Sequence, residues 1–113
     1  MSSQMPRQVI EAISARSGGL CEAWIPNICT TGAGDIHHRK LRSRGGKHTV
    51  TNCIALCSAC HSWCHRHVAE ATDLGLIVST YADPALVHVV RRGWPGLLNT
   101  DGTVQSTPPP WED

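Results

Sequence analysis

Cys57-Ser58-Ala59-Cys60 sets two thiols at a spacing that lets both thiolates grip one tetrahedral zinc ion. Cys21 and Cys29 are the natural second pair. Seven residues separate them rather than the usual ~2–4, and Trp24-Ile25-Pro26-Asn27 between them can form a hairpin that returns the second thiol. Cys53 and Cys64 read as small core thiols. Cys64, one helical turn beyond Cys60, is the substitute ligand should Cys29 not reach.

Histidine forms a second constellation. His61 and His65 stand four apart on an expected helix, so both imidazoles leave one face. His37-His38 is a pair on an expected strand, where adjacent side chains point to opposite faces. One ion cannot easily take both, so a division of labour follows: one ligates and the other acts as a base, a role open to neutral imidazole near pH 7.

Other motif readings fail on specific residues. Cys57-Ser-Ala-Cys60-His61 matches the c-type haem attachment pattern, which needs export to an oxidising compartment. A zinc finger of the two-cysteine, two-histidine kind needs about twelve residues between its cysteine and histidine pairs, whereas His61 follows Cys60 directly. Zinc deaminases need H-x-E, and His37-His38-Arg39 offers no Glu.

The elements that must position these groups are short. Val9, Ile10 and Ile13 recur at helical spacing after Pro6, and Gly18-Gly19 stops the run, predicting an amphipathic helix. Leu20 to Thr31 reads as a knuckle. Asp35 to Arg39 is extended and leads through a basic, Gly-containing loop, 40–49, to a second strand over 50–57. Ser58 to Ala69 lacks Gly and Pro and predicts a helix, with an extra turn ended by Gly75. Leu76–Thr80 and Leu86–Val90 read as further strands, and a last hairpin turns at Asn99–Gly102. Residues 106–113 read as a disordered tail, leaving 1–105 as a single domain.

Composition sharpens the picture. The chain has 113 residues, no Phe and one Tyr, a thin aromatic supply that a metal staple can offset. Net charge is +1, yet Ile36 to Ala69 contains no Asp or Glu, six of the ten Lys/Arg and six of the seven His. Residues 1–20 hold no basic-plus-apolar leader, and no stretch is long enough to cross a bilayer. The expectation is a reducing, cytoplasmic compartment, in which clustered thiols are metal ligands more often than bridges.

The stretch Asp35-Ile36-His37-His38-Arg39-Lys40-Leu41-Arg42-Ser43-Arg44-Gly45-Gly46, followed by Asn52-Cys53-Ile54-Ala55-Leu56-Cys57-Ser58-Ala59-Cys60-His61-Ser62-Trp63-Cys64-His65, resembles the HNH endonuclease family in its zinc-stapled bacteriophage form. Gly75-Leu76-Ile77-Val78-Ser79 resembles a segment that follows the motif in phage members. The resemblance implies an α+β fold: a ββα-metal (His-Me finger) core over about 20–69, a four-cysteine structural zinc site, an N-terminal helix and short C-terminal strands. It implies His37 as a catalytic-ion ligand, His61 as a second, and His65 as a third ligand or a phosphate contact. His38 is then the general base, and Asn52 the residue that bonds backbone across the β-loop and keeps the base oriented. Cys21, Cys29, Cys57 and Cys60 hold the structural Zn2+, and the catalytic cation is Mg2+, Mn2+, Ni2+ or Zn2+.

The implied activity is metal-dependent hydrolysis of DNA phosphodiesters. Arg39, Lys40, Arg42, Arg44 and Lys47, an acid-free basic run, would engage phosphates and make binding steeply salt-dependent. The resemblance to phage members implies DNA as the partner, with a packaging terminase as a further candidate, in the host cytoplasm. The alternative from another class is a catalytically silent zinc-stapled DNA-binding or assembly module, which a retained His38 and Asn52 argue against.

Overall fold

The computed structural model describes residues 4–107. A small α+β architecture results, with helices packed on antiparallel strands. Helix α1, Arg7–Ser17, buries Ile13 and stops at Gly18, whose φ of 67° is the left-handed cap that glycine adopts without a Cβ penalty. Strands β1, Asp35–His38, and β2, Cys53–Leu56, pair antiparallel with Asp35 opposite Leu56 and His38 opposite Cys53.

The alternation of side chains across this ribbon decides what each face does. Ile36, Cys53 and Ala55 share a small apolar cluster with Ile13 and Val9 of α1. Ile54 and Leu56 face the other way, into the main core with Cys60, Trp63 and Cys64. The last three belong to helix α2, Ser58–Arg66, which therefore crosses the face that also carries Asp35 and His37.

The single helix expected over 58–69 is broken at His67, whose φ of −124° and ψ of 60° are not helical. Helix α3, Val68–Asp73, continues on a new axis and ends before Gly75. The expected strand Leu76–Thr80 does not form. Leu76, Ile77 and Val78 are buried as an apolar run requires, but Leu76 and Ile77 donate their N–H groups to Ala71 and Val78 donates to Arg39. A bridging segment is apolar for the same reason a strand would be.

The expected strand Leu86–Val90 is likewise displaced. Pro84 opens a 3₁₀ turn, Pro84–Leu86, capped by the Asp83 carboxylate on the Ala85 N–H at 3.0 Å. Strands β3, Val89–Arg91, β4, Trp94–Leu98, and β5, Val104–Ser106, then form an antiparallel sheet in chain order. The last hairpin turns at 99–103 as read from the sequence, with Asn99 donating to the Thr103 carbonyl at 2.9 Å. The β3–β4 turn, Arg92-Gly93, was not anticipated; both residues have positive φ, 53° and 80°, as a two-residue hairpin requires. Strand β5 includes Ser106, and 108–113 of the expected tail lie outside the described residues.

Glu22 knots these parts together. It is wholly buried, and its carboxylate accepts from Arg16 at 2.8 and 3.0 Å, from Arg91 at 2.6 Å and from the Ala55 N–H at 3.0 Å. Burial opposes its charge, but the two guanidiniums prevail and hold its carboxyl below the usual range. One side chain thus joins α1, the 20–31 knuckle, β2 and β3.

Candidate active site

The thiols Cys21, Cys29, Cys57 and Cys60 converge, with their sulfur atoms all within 4.8 Å of one another. Ligands held ~2.3 Å from a tetrahedral zinc stand roughly 3.8 Å apart, and the Cys29–Cys57 separation is 3.9 Å. The wide Cys21–Cys29 gap closes because the knuckle folds back, with Ile28 and Cys29 both donating to the Ile25 carbonyl. Trp24 and Asn27 make that reversal at positive φ. All six cysteines are free.

Backbone amides point at the sulfurs. Cys57 Sγ accepts from Thr30 at 3.4 Å and from Cys60 at 3.3 Å, and Cys29 Sγ accepts from Thr31 at 3.4 Å. Burial penalises the Cys57 thiolate, yet those amides outweigh it and pull the thiol down to about 6. Burial, with the neighbouring Cys57 and Cys21 thiols, pushes Cys60 up despite the Ile25 amide that opposes it. The cluster fits a zinc ion by donor type, spacing and amide support. Cys53 and Cys64 lie outside it, wholly buried, and burial raises them to about 11 and about 12.

The second cluster is His37, His61 and His65, whose ring nitrogens also lie within 4.8 Å of one another. Their ring centroids stand 5.0 to 5.5 Å apart. His37 comes from β1, while His61 and His65 come from one face of α2, the i, i+4 geometry expected from their spacing. His37 donates Nε2–H to the Leu76 carbonyl at 2.6 Å, which leaves Nδ1 as its lone-pair nitrogen. Burial, with some help from the neighbouring rings, lowers His37 to about 4, so it is neutral at pH 7. His61 donates Nδ1–H to Asp35 Oδ2 at 3.0 Å, leaving Nε2 free. A carbonyl behind one ring and a carboxylate behind another is how ligating histidines are fixed in tautomer and orientation. Three imidazoles gathered at this distance supply a donor set that suits a divalent cation.

His38 is the last residue of β1. Although it points away from His37 along the strand, both rings line one hollow of about 420 Å³ with Leu41, Arg42, Ser43, His61 and His65. Burial, His48 and Arg42 lower its pKa, favouring the neutral ring. Its Nε2 shares a hydrogen bond with His48 Nδ1 at 2.9 Å. Asn52 is buried behind it. The Asn52 carboxamide accepts from the Lys40 N–H at 2.7 Å and donates to the Lys40 and Lys47 carbonyls at 3.1 and 3.0 Å, closing the loop between the strands.

The basic run divides. Arg42 lines the histidine hollow and Arg44 is exposed beside it in the 3₁₀ turn Arg42–Arg44. Lys40 and Lys47 line a separate hollow of about 410 Å³ with Asn52 and Tyr81. Arg39 is a correction. Read from the sequence as a phosphate contact, it is wholly buried, and its guanidinium donates to the carbonyls of Gly75, Thr51, Pro84 and Val87 at 2.7 to 3.1 Å. It staples β1 to the 75–87 segment and has no face left for DNA.

Sequence reasoning assigned no role to Asp35, His48 or the Leu76 carbonyl. Asp35 was findable, since a residue two before His37 on a strand shares its face. The Leu76 carbonyl was not, because a backbone group leaves no trace in residue types.

Residues 30–68 match the family model for HNH endonuclease, a span that holds β1, the loop, β2 and α2. The matched third of the chain carries His38, Asn52, the whole histidine cluster and two of the four clustered thiols, Cys57 and Cys60. Members of that family are nucleases that act on DNA with divalent metals, so the match points to a nuclease. No curated protein and no solved structure matches the chain. No helix among the described residues is long and apolar enough to cross a membrane.

Proposed function

We propose that the protein is a metal-dependent DNA endonuclease in which β1, β2 and α2 form a ββα-metal core. The observation that carries this reading is one hollow lined by His38 and by three histidines whose nitrogens converge, inside the segment matching HNH endonuclease.

His37, His61 and His65 hold the catalytic cation, Mg2+, Mn2+, Ni2+ or Zn2+. When bound, it supplies positive charge against the phosphodiester and its departing oxygen. His38 accepts a proton from a water as the water oxygen bonds to phosphorus and the P–O3′ bond breaks. The departing 3′-oxygen takes a proton from solvent and His38 returns its own to solvent, so the products are a 5′-phosphate and a 3′-hydroxyl. Burial keeps His38 neutral, hence able to accept that proton near pH 7. Asn52 fixes the loop that follows His38 and so holds the base in place. Arg42 and Arg44 on the rim, with Lys40 and Lys47 beyond it, bind the phosphate backbone with little base specificity. Cys21, Cys29, Cys57 and Cys60 hold a structural Zn2+. The nuclease unit is residues 1–105, since Leu76 orients His37 and Arg91 ties β3 to the knuckle. A phage setting, with a packaging terminase as partner in the host cytoplasm, follows from the sequence resemblance.

Plasmid relaxation in Mg2+, Mn2+ or Ni2+ tests the reading. Wild type is expected to nick or cut, chelator to abolish the activity, and His38→Ala to fold, keep its zinc and cleave at least ~100-fold more slowly. A folded, zinc-loaded wild type that binds DNA yet cleaves in none of these ions would overturn it in favour of a silent binding module.

A further inference from the structure

The loop between β1 and β2 carries a histidine that the proposed chemistry leaves unused. His48 is half-buried, its ring centroid 5.0 Å from that of His38, and its Nδ1 is 2.9 Å from His38 Nε2. The residues on either side of it are fastened to Asn52. Lys47 accepts from the Asn52 carboxamide at 3.0 Å. Thr49 accepts the Asn52 N–H at its carbonyl and at its hydroxyl, both at 3.2 Å. Gly46, two residues earlier, packs so closely under the Lys40 carbonyl that a Cβ there would collide with it. The backbone beneath His48 is therefore clamped.

We propose that His48 is a positioning residue for His38, the link through which Asn52 orients the base. The inference rests on His38 being that base. Asn52 touches no atom of the His38 ring in the bonds it makes; it bonds backbone at Lys40 and Lys47. His48, held between Lys47 and Thr49, carries that rigidity to the ring. A hydrogen bond between two imidazole nitrogens needs one proton and one lone pair, so the pair fixes the direction of the His38 ring. Base action needs the lone pair on Nδ1, so His38 Nε2–H donates to His48 Nδ1 and the His38 Nδ1 is left to face water. A free imidazole on a strand end would sample several rotamers, and only the one aimed at the in-line water is productive.

The test compares His48→Ala and His48→Asn with wild type in the plasmid assay, with kcat and KM measured separately and zinc content and thermal midpoint as controls. Asparagine places an amide group near the position of Nδ1. His48→Ala is expected to lower kcat ~10–100-fold, the usual cost of losing an orienting partner, with KM changed less than ~2-fold and zinc retained. His48→Asn should recover most of kcat. In a His38→Ala background, adding His48→Ala should change nothing further, because the two act as one unit.

Three results would overturn the proposal: an unchanged kcat in His48→Ala, a loss confined to KM, or a full additional loss on top of His38→Ala. The last two would make His48 a DNA contact. A wild type inert in every ion instead removes the nuclease reading itself, and this inference with it.

Discussion

Arg39 and Arg42 stand three apart in one acid-free run, yet the fold gives them opposite work. Arg42 reaches the histidine hollow with one end on the Gly46 carbonyl at 2.6 Å, so its charge is available to a phosphate. Arg39 commits its guanidinium to four backbone carbonyls in the interior. Arg42→Ala should therefore weaken DNA binding and reduce the slope of log affinity against log salt by about 1, with the thermal midpoint unmoved. Arg39→Ala should instead cost about 3–5 kcal/mol in denaturant unfolding, since it strands several buried acceptors. If Arg39→Ala weakened binding while leaving stability intact, the buried staple would be wrong. Residue spacing made the paired thiols and the His61–His65 face legible, because each is a periodicity tied to one element. A run of basic residues through an irregular loop has no period, so nothing in it said which cation turns inward.

At the scale of elements, the loop between β1 and β2 is a clamp whose tightness depends on one residue without a side chain. Gly46 is buried against the Lys40 carbonyl, the same group that Asn52 Nδ2 bonds. Gly46→Ala has nowhere to put its methyl, because the obstructing atoms are backbone. The loop must open, releasing the Asn52 bonds to Lys40 and Lys47. Cleavage is expected to fall at least ~10-fold while zinc content stays at the wild-type level, read by metal analysis beside the plasmid assay. Equal loss of zinc would place Gly46 in the global fold and not in the loop. The elements around this clamp were readable wherever local signals are strong: Gly18 as a stop, the β-branched and apolar run that contains β2, and the Asn99–Gly102 turn. His67 breaks the helix without Gly or Pro, and Leu76–Val78 is an apolar run whose partners are a helix end and Arg39. Tertiary contacts decide both, and a window of sequence does not contain them.

Across the whole molecule, a thiol cluster and a buried carboxylate join the knuckle to the rest, beside the bonds that Arg92 makes to the Cys21 and Leu20 carbonyls. The thiol cluster joins it to the β2–α2 junction, and the buried Glu22 joins it to α1, β2 and β3. A chain with no Phe and a single Tyr has a small core, so neither tie is redundant. Purified protein should hold about one zinc per chain, and Cys53→Ala or Cys64→Ala should keep it, because both thiols are buried outside the cluster. Glu22→Gln should cost about 3–5 kcal/mol by leaving Arg16 and Arg91 partly unpaired in the interior, again with zinc retained. Chelation of wild type should lower the thermal midpoint sharply, since binding free energy at such a site is folding free energy. Combining chelation with Glu22→Gln should lower the midpoint further than either change alone, for the knuckle then keeps its apolar contacts and the backbone bonds to Ala55 and Arg92. A protein stripped of zinc that melts at the native midpoint would show that the four thiols gather for packing alone, and the histidine hollow would have to be held in shape by Arg39 and Glu22 without a metal.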